Sequence, residues 1–227
     1  MRNGLPPASV TAVILDLDGT LIDTASEIGL ALSRTLEEFG VEPLPQRDVT
    51  ALIGRGVRSL VERSLETRAV RGIDVEAVVA RFHSHYTRTV ATEARLYPGA
   101  REGIDALREA GRRIAVVTNK PRTYSERLLA YTQVAASLDA IVAGDDGITR
   151  KPAGDMLLAA CGRMKVRAEQ TLMVGDSDND VLAARAAGCL VWCVPYGYNE
   201  GRSADTLECD RVVATIEEAA RLVIAMS

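Results

Sequence analysis

Short apolar runs alternate with amphipathic stretches over most of the chain. Runs of strand type occupy residues 10–15, 114–117, 138–142, 171–174 and 190–194, with a weaker one at 211–213. Between them lie stretches with helical periodicity. Residues 101–110 place Ile104, Leu107 and Ala110 on one face, and 155–164, 178–187 and 216–226 follow the same rule. Strands that are apolar throughout must be covered on both faces. Joined by helices, they predict an α/β, doubly wound parallel sheet.

One stretch breaks the alternation. From Leu21 to about Ala91 the pattern is helical without a convincing strand. Ile28, Leu32, Leu36 and Phe39 form one stripe, and Leu60, Val61 and Leu65 belong to a second helix. Val75, Val78, Val79, Phe82 and Tyr86 form a third stripe. Tyr97-Pro98-Gly99 marks the return to the sheet. The expected organisation is a core of residues 1–21 and 92–227, with a helical domain at 22–91 inserted after the first strand.

Composition narrows the function classes. Of the 227 residues, 47% are hydrophobic and 26% charged, as in an ordinary folded domain. Lys+Arg 27 against Asp+Glu 31 gives a net charge of -4, with no basic tract to suggest nucleic acid or a membrane surface. The N-terminal MRNGLPPASV lacks an apolar segment of signal-peptide length, and no run is long enough to span a bilayer. The four cysteines are read as reduced thiols, since a chain of this size builds its own core. A cytoplasmic monomer or homodimer is expected.

In a parallel sheet, ligands bind beyond the carboxyl ends of the strands. The first run is followed by Asp16-Leu-Asp-Gly-Thr20, the second by Thr118-Asn-Lys120, the third by Gly144-Asp-Asp146 and then Lys151-Pro152, and the fourth by Gly175-Asp-Ser-Asp-Asn-Asp180. No Gly-x-Gly-x-x-Gly follows the first run, which argues against a dinucleotide. Asp16 would be ionised at neutral pH and ready to act as a nucleophile. Its obstacle is the negative charge of a phosphate, which a hard divalent cation on carboxylate oxygens removes. Mg²⁺ suits this oxygen-rich set better than zinc. Asp18, two residues on, points to the same side in extended backbone and is placed to move protons. Thr118, Asn119 and Lys151 supply donors for phosphoryl oxygens.

Together these four segments resemble, in order and spacing, the motifs of the haloacid dehalogenase superfamily, and the match covers nearly the whole chain. The resemblance implies that Asp16 is a nucleophile forming an aspartyl-phosphate and that Asp18 is the general acid/base. It implies a metal site of Asp16, Asp18 (through its backbone carbonyl), Asp176 and Asp180, and a phosphate site of Gly19, Thr20, Thr118, Asn119 and Lys151. It also implies that the helical insert is a cap over a small phosphorylated metabolite. Leu52-Ile-Gly-Arg-Gly56, Ala143-Gly-Asp-Asp146 and Tyr196-Gly-Tyr-Asn199 are similar to segments of bacterial phosphoglycolate phosphatases. Phosphatases of other small esters, mutases and non-catalytic phospho-ligand binders share the superfamily. Gly154 departs from the pattern, since relatives often carry proline there.

Other residues have plainer readings beside the sharp ones. Arg55, between two glycines, either grips a substrate carboxylate or is a solvated arginine. Lys120 is a phosphate contact or a solvated loop residue. Asp145 and Asp146 read as loop structure, Asp178 as surface or helix cap, and Ser177 as a further support for the metal shell. His83 and His85, two apart on a helix, face different ways and do not share a metal.

Overall fold

The computed structural model describes residues 10–226. The leader-free reading of MRNGLPPASV, the start of the expected core and the last residue therefore lie largely outside the described residues. The central strand β1 is Ala12–Leu15, and β2 is the short Ile22–Asp23. Four helices follow: α1 (Ala25–Glu38), α2 (Gln46–Thr50), α3 (Val57–Thr67) and α4 (Val75–Thr89). The chain then forms β3 (Arg95–Leu96), α5 (Ala100–Glu109), β4 (Arg113–Val117), α6 (Arg122–Tyr131) and β5 (Ala140–Val142). It continues through α7 (Asp155–Met164), β6 (Thr171–Gly175), α8 (Asp178–Ala187), β7 (Leu190–Cys193), β8 (Arg211–Val212) and α9 (Ile216–Ala225).

Six strands form one parallel sheet in the order β5-β4-β1-β6-β7-β8. Alternation divides its side chains between two cores. Val13, Leu15, Ile114, Val116, Leu172 and Val174 face the cluster that holds α5, α9 and the insert. Ala12, Ile14, Ala115, Val117 and Met173 face the cluster with α7 and α8. All of these strand residues are buried, which explains why the strands read as unbroken apolar runs.

Several elements were not legible in the sequence, the five-residue helix α2 among them. The two-residue strands β2 and β3 pair antiparallel, Ile22 with Leu96 and Asp23 with Arg95, and so join the two connections of the insert. Two residues are too few to display alternation. Helix α6 buries Tyr124, Ser125, Leu128 and Leu129. With a serine at one core position and a tyrosine at another, its apolar stripe is weak.

Within the insert, Leu32, Leu36 and Phe82 are buried where α1 meets α4. Val75 and Val79 of the expected α4 stripe are only partly buried, while Val78, Phe82 and Tyr86 fill the contact. Glu27, buried on α1, receives backbone N–H groups from Thr92, Glu93 and Ala94 at 2.6, 2.7 and 2.9 Å on one oxygen, and from Ala91 at 3.1 Å on the other. That carboxylate fixes the chain where it leaves the insert.

Candidate active site

The sheet register brings the predicted groups together. Leu15 pairs with Val116 on one side and Val174 on the other. One residue beyond Leu15 comes Asp16, and two beyond Val116 and Val174 come Thr118 and Asp176, so the three emerge near one another at the carboxyl edge. Chain direction across the sheet reverses beside β1, the place where open parallel sheets leave a crevice.

Lys151 is the hub. Its ammonium lies 2.7 Å from Asp16 Oδ1 and 2.7 Å from Asp180 Oδ1, and donates to the Val117 carbonyl at 2.9 Å. All three of its donors are thus engaged. Burial would discharge this lysine, but Asp16 and Asp180 outweigh burial and raise its pKa. The second oxygen of Asp180 accepts from the Ser177 hydroxyl at 2.8 Å and from the backbone N–H groups of Ser177 and Asp176 at 3.1 and 3.2 Å. Ser177 is the N-cap of α8 in a reciprocal capping box with Asp180. The sequence at the helix start therefore also orients the acidic cluster.

Asp176 accepts from the Thr20 hydroxyl at 2.7 Å and from the Tyr198 N–H at 2.7 Å. Gly19 has φ +86°, and a Cβ there would lie 2.7 Å from Asp176 Oδ2. Its N–H donates to the Ile22 carbonyl at 3.0 Å. Gly19 and Thr20 thus shape the turn and hold Asp176, with the N–H of one and the hydroxyl of the other already bonded.

Asp16, Asp176 and Asp180 place carboxylate oxygens within 4.8 Å of one another, all buried. Burial raises Asp16 well above the usual carboxylate range even with Lys151 beside it. Burial also raises Asp176, to about 6, and the charge of Asp180 adds to the rise. One ammonium among three buried carboxylates leaves negative charge uncompensated, and the donors are hard oxygens. The cluster therefore suits a divalent cation of the magnesium or calcium type. The Asp18 side chain is not in it. Asp18 accepts from the Thr24 hydroxyl at 2.6 Å and from Lys120 Nζ at 3.0 and 2.9 Å.

Between sheet edge and insert lies an open-mouthed cavity. Asp16, Asp18, Thr118, Asn119 and Lys120 line it from below, and Ile28, Ile53, Leu60, Phe82 and Tyr86 from above. The Thr118 hydroxyl oxygen accepts the Lys120 N–H at 3.1 Å, so its own proton remains available. The Asn119 amide group donates to the carbonyls of Gly54 at 3.0 Å and Lys151 at 2.9 Å. It ties the insert's loop to the lysine loop, and its buried Oδ1 lacks a partner.

Lys120 is no solvated loop residue. It is buried on Asp18, with its ammonium 4.8 Å from the Tyr86 ring centroid. Sequence reasoning divided over it because Pro121 suggested an open loop. Arg55 pairs with Glu200 at 2.7 Å, half-exposed and outside the cavity lining. Asp145 accepts the first N–H of α6, and Asp146 binds Arg122 and Arg163, both loop-building roles. Asp178 pairs with Arg202. His83 meets the Tyr124 hydroxyl and His85 meets Glu38, so the two histidines diverge. Tyr198 was given no role of its own by the sequence. Its hydroxyl receives the Thr24 N–H at 2.9 Å and donates to Asp23 at 3.0 Å. Only the Tyr196-Gly-Tyr-Asn199 segment signalled it.

The description "haloacid dehalogenase-like hydrolase" belongs to the family model that matches residues 13–194. The chain is 42% identical over 221 residues to the phosphoglycolate phosphatase of Nitrosospira multiformis, covering 96% of this chain and 97% of that one. It is 44% identical over 208 residues to the plasmid phosphoglycolate phosphatase of Cupriavidus necator, with 91% and 90% covered. A crystal structure from Haemophilus somnus, described as a predicted phosphoglycolate phosphatase, superposes with a TM-score of 0.88 at 25% identity and covers 95% of this chain and 98% of that one.

Proposed function

The chain belongs to the haloacid dehalogenase-like hydrolases, and on that footing we propose that it is a phosphatase cleaving 2-phosphoglycolate to glycolate and phosphate. One observation carries the chemistry: Asp16 meets Lys151, Asp176 and Asp180 at the floor of a cavity that Asp18 also lines. The relatives' names support the substrate.

In this reading the Asp16 carboxylate attacks phosphorus, and the bond to the glycolate oxygen breaks as the aspartyl-phosphate forms. Asp18 gives a proton to the departing alkoxide. It then takes one from the water that attacks the aspartyl-phosphate, and phosphate leaves. Thr24 orients Asp18 through the hydroxyl bond described above. Thr118 donates its free proton to a phosphoryl oxygen, and Lys151 balances charge at Asp16. Mg²⁺ would be held by Asp16 and Asp176, with Asp180 beside them and the Asp18 main-chain carbonyl contributing. When bound, it supplies charge neutralisation and polarises the phosphoryl group. Asn119, Gly19 and Thr20 keep these groups in register.

Residues 22–91 act as the cap that shields the reaction from bulk water, over a core of 1–21 and 92–227. The protein works in the cytoplasm as a monomer or homodimer on a small phosphorylated metabolite. Phosphate release from a panel of esters, with Mg²⁺ and with EDTA, tests the reading. Preference for 2-phosphoglycolate, abolished by EDTA, is expected. Preference for a sugar phosphate or pyrophosphate would discard the substrate, and EDTA-resistant release would discard the metal.

A further inference from the structure

A two-carbon phosphate ester with a carboxylate presents two anions close together. The phosphate has the acidic cluster's cations to answer it. The carboxylate needs a partner of its own, and the cavity roof of Ile53, Leu60 and Phe82 offers none. Arg55, the sequence's candidate, is paired with Glu200 outside the lining. Lys151 has no donor to spare.

Lys120 remains, and it is the one lysine or arginine among the described residues lining the cavity. Two of its three N–H donors reach the two oxygens of Asp18, and its remaining side-chain interaction is with the Tyr86 hydroxyl oxygen. Above it, the Tyr86 hydroxyl is buried and its proton finds no acceptor. Lys120 is itself only a donor and cannot satisfy that proton. An ammonium and a buried hydroxyl donor thus stand together with no second anion between them. Their placement also fits the chemistry. The group that protonates the leaving oxygen must touch that oxygen, and in 2-phosphoglycolate the carboxylate is one carbon away. A cation bonded to Asp18 is therefore beside the place where that carboxylate falls.

We infer that Lys120, assisted by the Tyr86 hydroxyl, recognises the substrate's carboxylate and selects carboxylated esters over neutral ones. This rests on the substrate reading above. It assigns to a core residue, near the phosphate-facing Thr118, a selection for which the sequence offered the arginine of the cap loop.

The test compares kcat/KM for 2-phosphoglycolate with that for 2-hydroxyethyl phosphate, which has an alcohol in place of the carboxylate. Lys120→Met will lower both rates because Lys120 also holds Asp18, so the readout is the ratio. The ratio should fall at least about tenfold, the scale of one hydrogen bond to a charged group. Lys120→Arg should retain most of it. Tyr86→Phe, which removes one oxygen and keeps the ring packed, should lower the ratio severalfold even if Lys120→Met fails to fold. A high ratio in the wild type that survives in both Lys120→Met and Tyr86→Phe overturns the inference and leaves the substrate reading intact. Should Lys120→Met not fold, a ratio unchanged in Tyr86→Phe and in Lys120→Arg overturns it. A wild-type ratio near one overturns both.

Discussion

Asp176 shows how single residues set the operating range. Burial and Asp180 hold its carboxyl at about 6, and burial raises Asp16 as well. An aspartate in the unfolded chain titrates near ~3.9. Between those values the folded, metal-free protein binds more protons than the unfolded chain, so its stability falls as pH rises through the window. A divalent cation competes with the same protons. We therefore predict that Mg²⁺ affinity drops roughly tenfold per unit below about pH 6, and that Mg²⁺ raises the melting temperature more at about pH 8 than at about pH 5. Calorimetric titration across pH checks this, and an affinity independent of pH would be inconsistent with it. Gly154 makes a second point. A Cβ there would lie 2.7 Å from the Ala187 nitrogen and 2.9 Å from the Ala186 carbonyl carbon. The lack of a side chain there lets the start of α7 close onto the end of α8. Gly154→Ala should cost about 1–3 kcal/mol in a urea melt, and unchanged stability would refute the packing argument.

At the scale of elements, the decisive joints are the two connections of the helical insert. One is held by Tyr198, which bonds both the Thr24 N–H and Asp23 while its own N–H binds Asp176. The other is held by Glu27 and its four backbone donors. Glu27→Gln weakens those bonds and places an amide donor among N–H groups. It should destabilise the fold by roughly 3 kcal/mol in thermal or denaturant unfolding. A change within experimental error would show that the carboxylate is dispensable. These joints mark the limit of what the sequence exposes. Strand runs such as residues 171–174 were readable because both faces are buried. Asp16, Asp176 and Lys151 were readable because a parallel sheet gathers whatever follows its strands. Glu27 looked like any acidic residue in a first helical turn. Its role depends on where residues 91–94 return, which no local pattern encodes. Lys120 was ambiguous for the same reason: its partners are an aspartate 102 positions earlier and a ring on another element.

For the whole molecule, the sheet order explains why one edge is chemical and the opposite one is not. β1 lies between β4 and β6, so three strands deliver Asp16, Thr118 and Asp176 to neighbouring positions. The insert leaves the chain directly after this edge and returns across it, roofing the cavity with apolar side chains. Contacts between insert and core around the cavity include Asn119 to Gly54, Arg55 and Arg63 to Glu200, His83 to Tyr124, and Lys120 beneath Tyr86. A chain with net charge -4 attracts an anionic ester only through such focused cations. Everything in this arrangement converges on Asp16. Asp16→Asn preserves size, so it should remain folded while losing at least about a thousandfold in turnover, as when a nucleophile is removed from other enzymes. The most direct measurement is trapping: quench the wild type during turnover with acid, reduce with borohydride, and map the peptides by mass spectrometry. Conversion of Asp16 to homoserine, dependent on substrate and absent in Asp16→Asn, is the expected result. Conversion at a different carboxylate, or full turnover by Asp16→Asn, would contradict the proposed nucleophile.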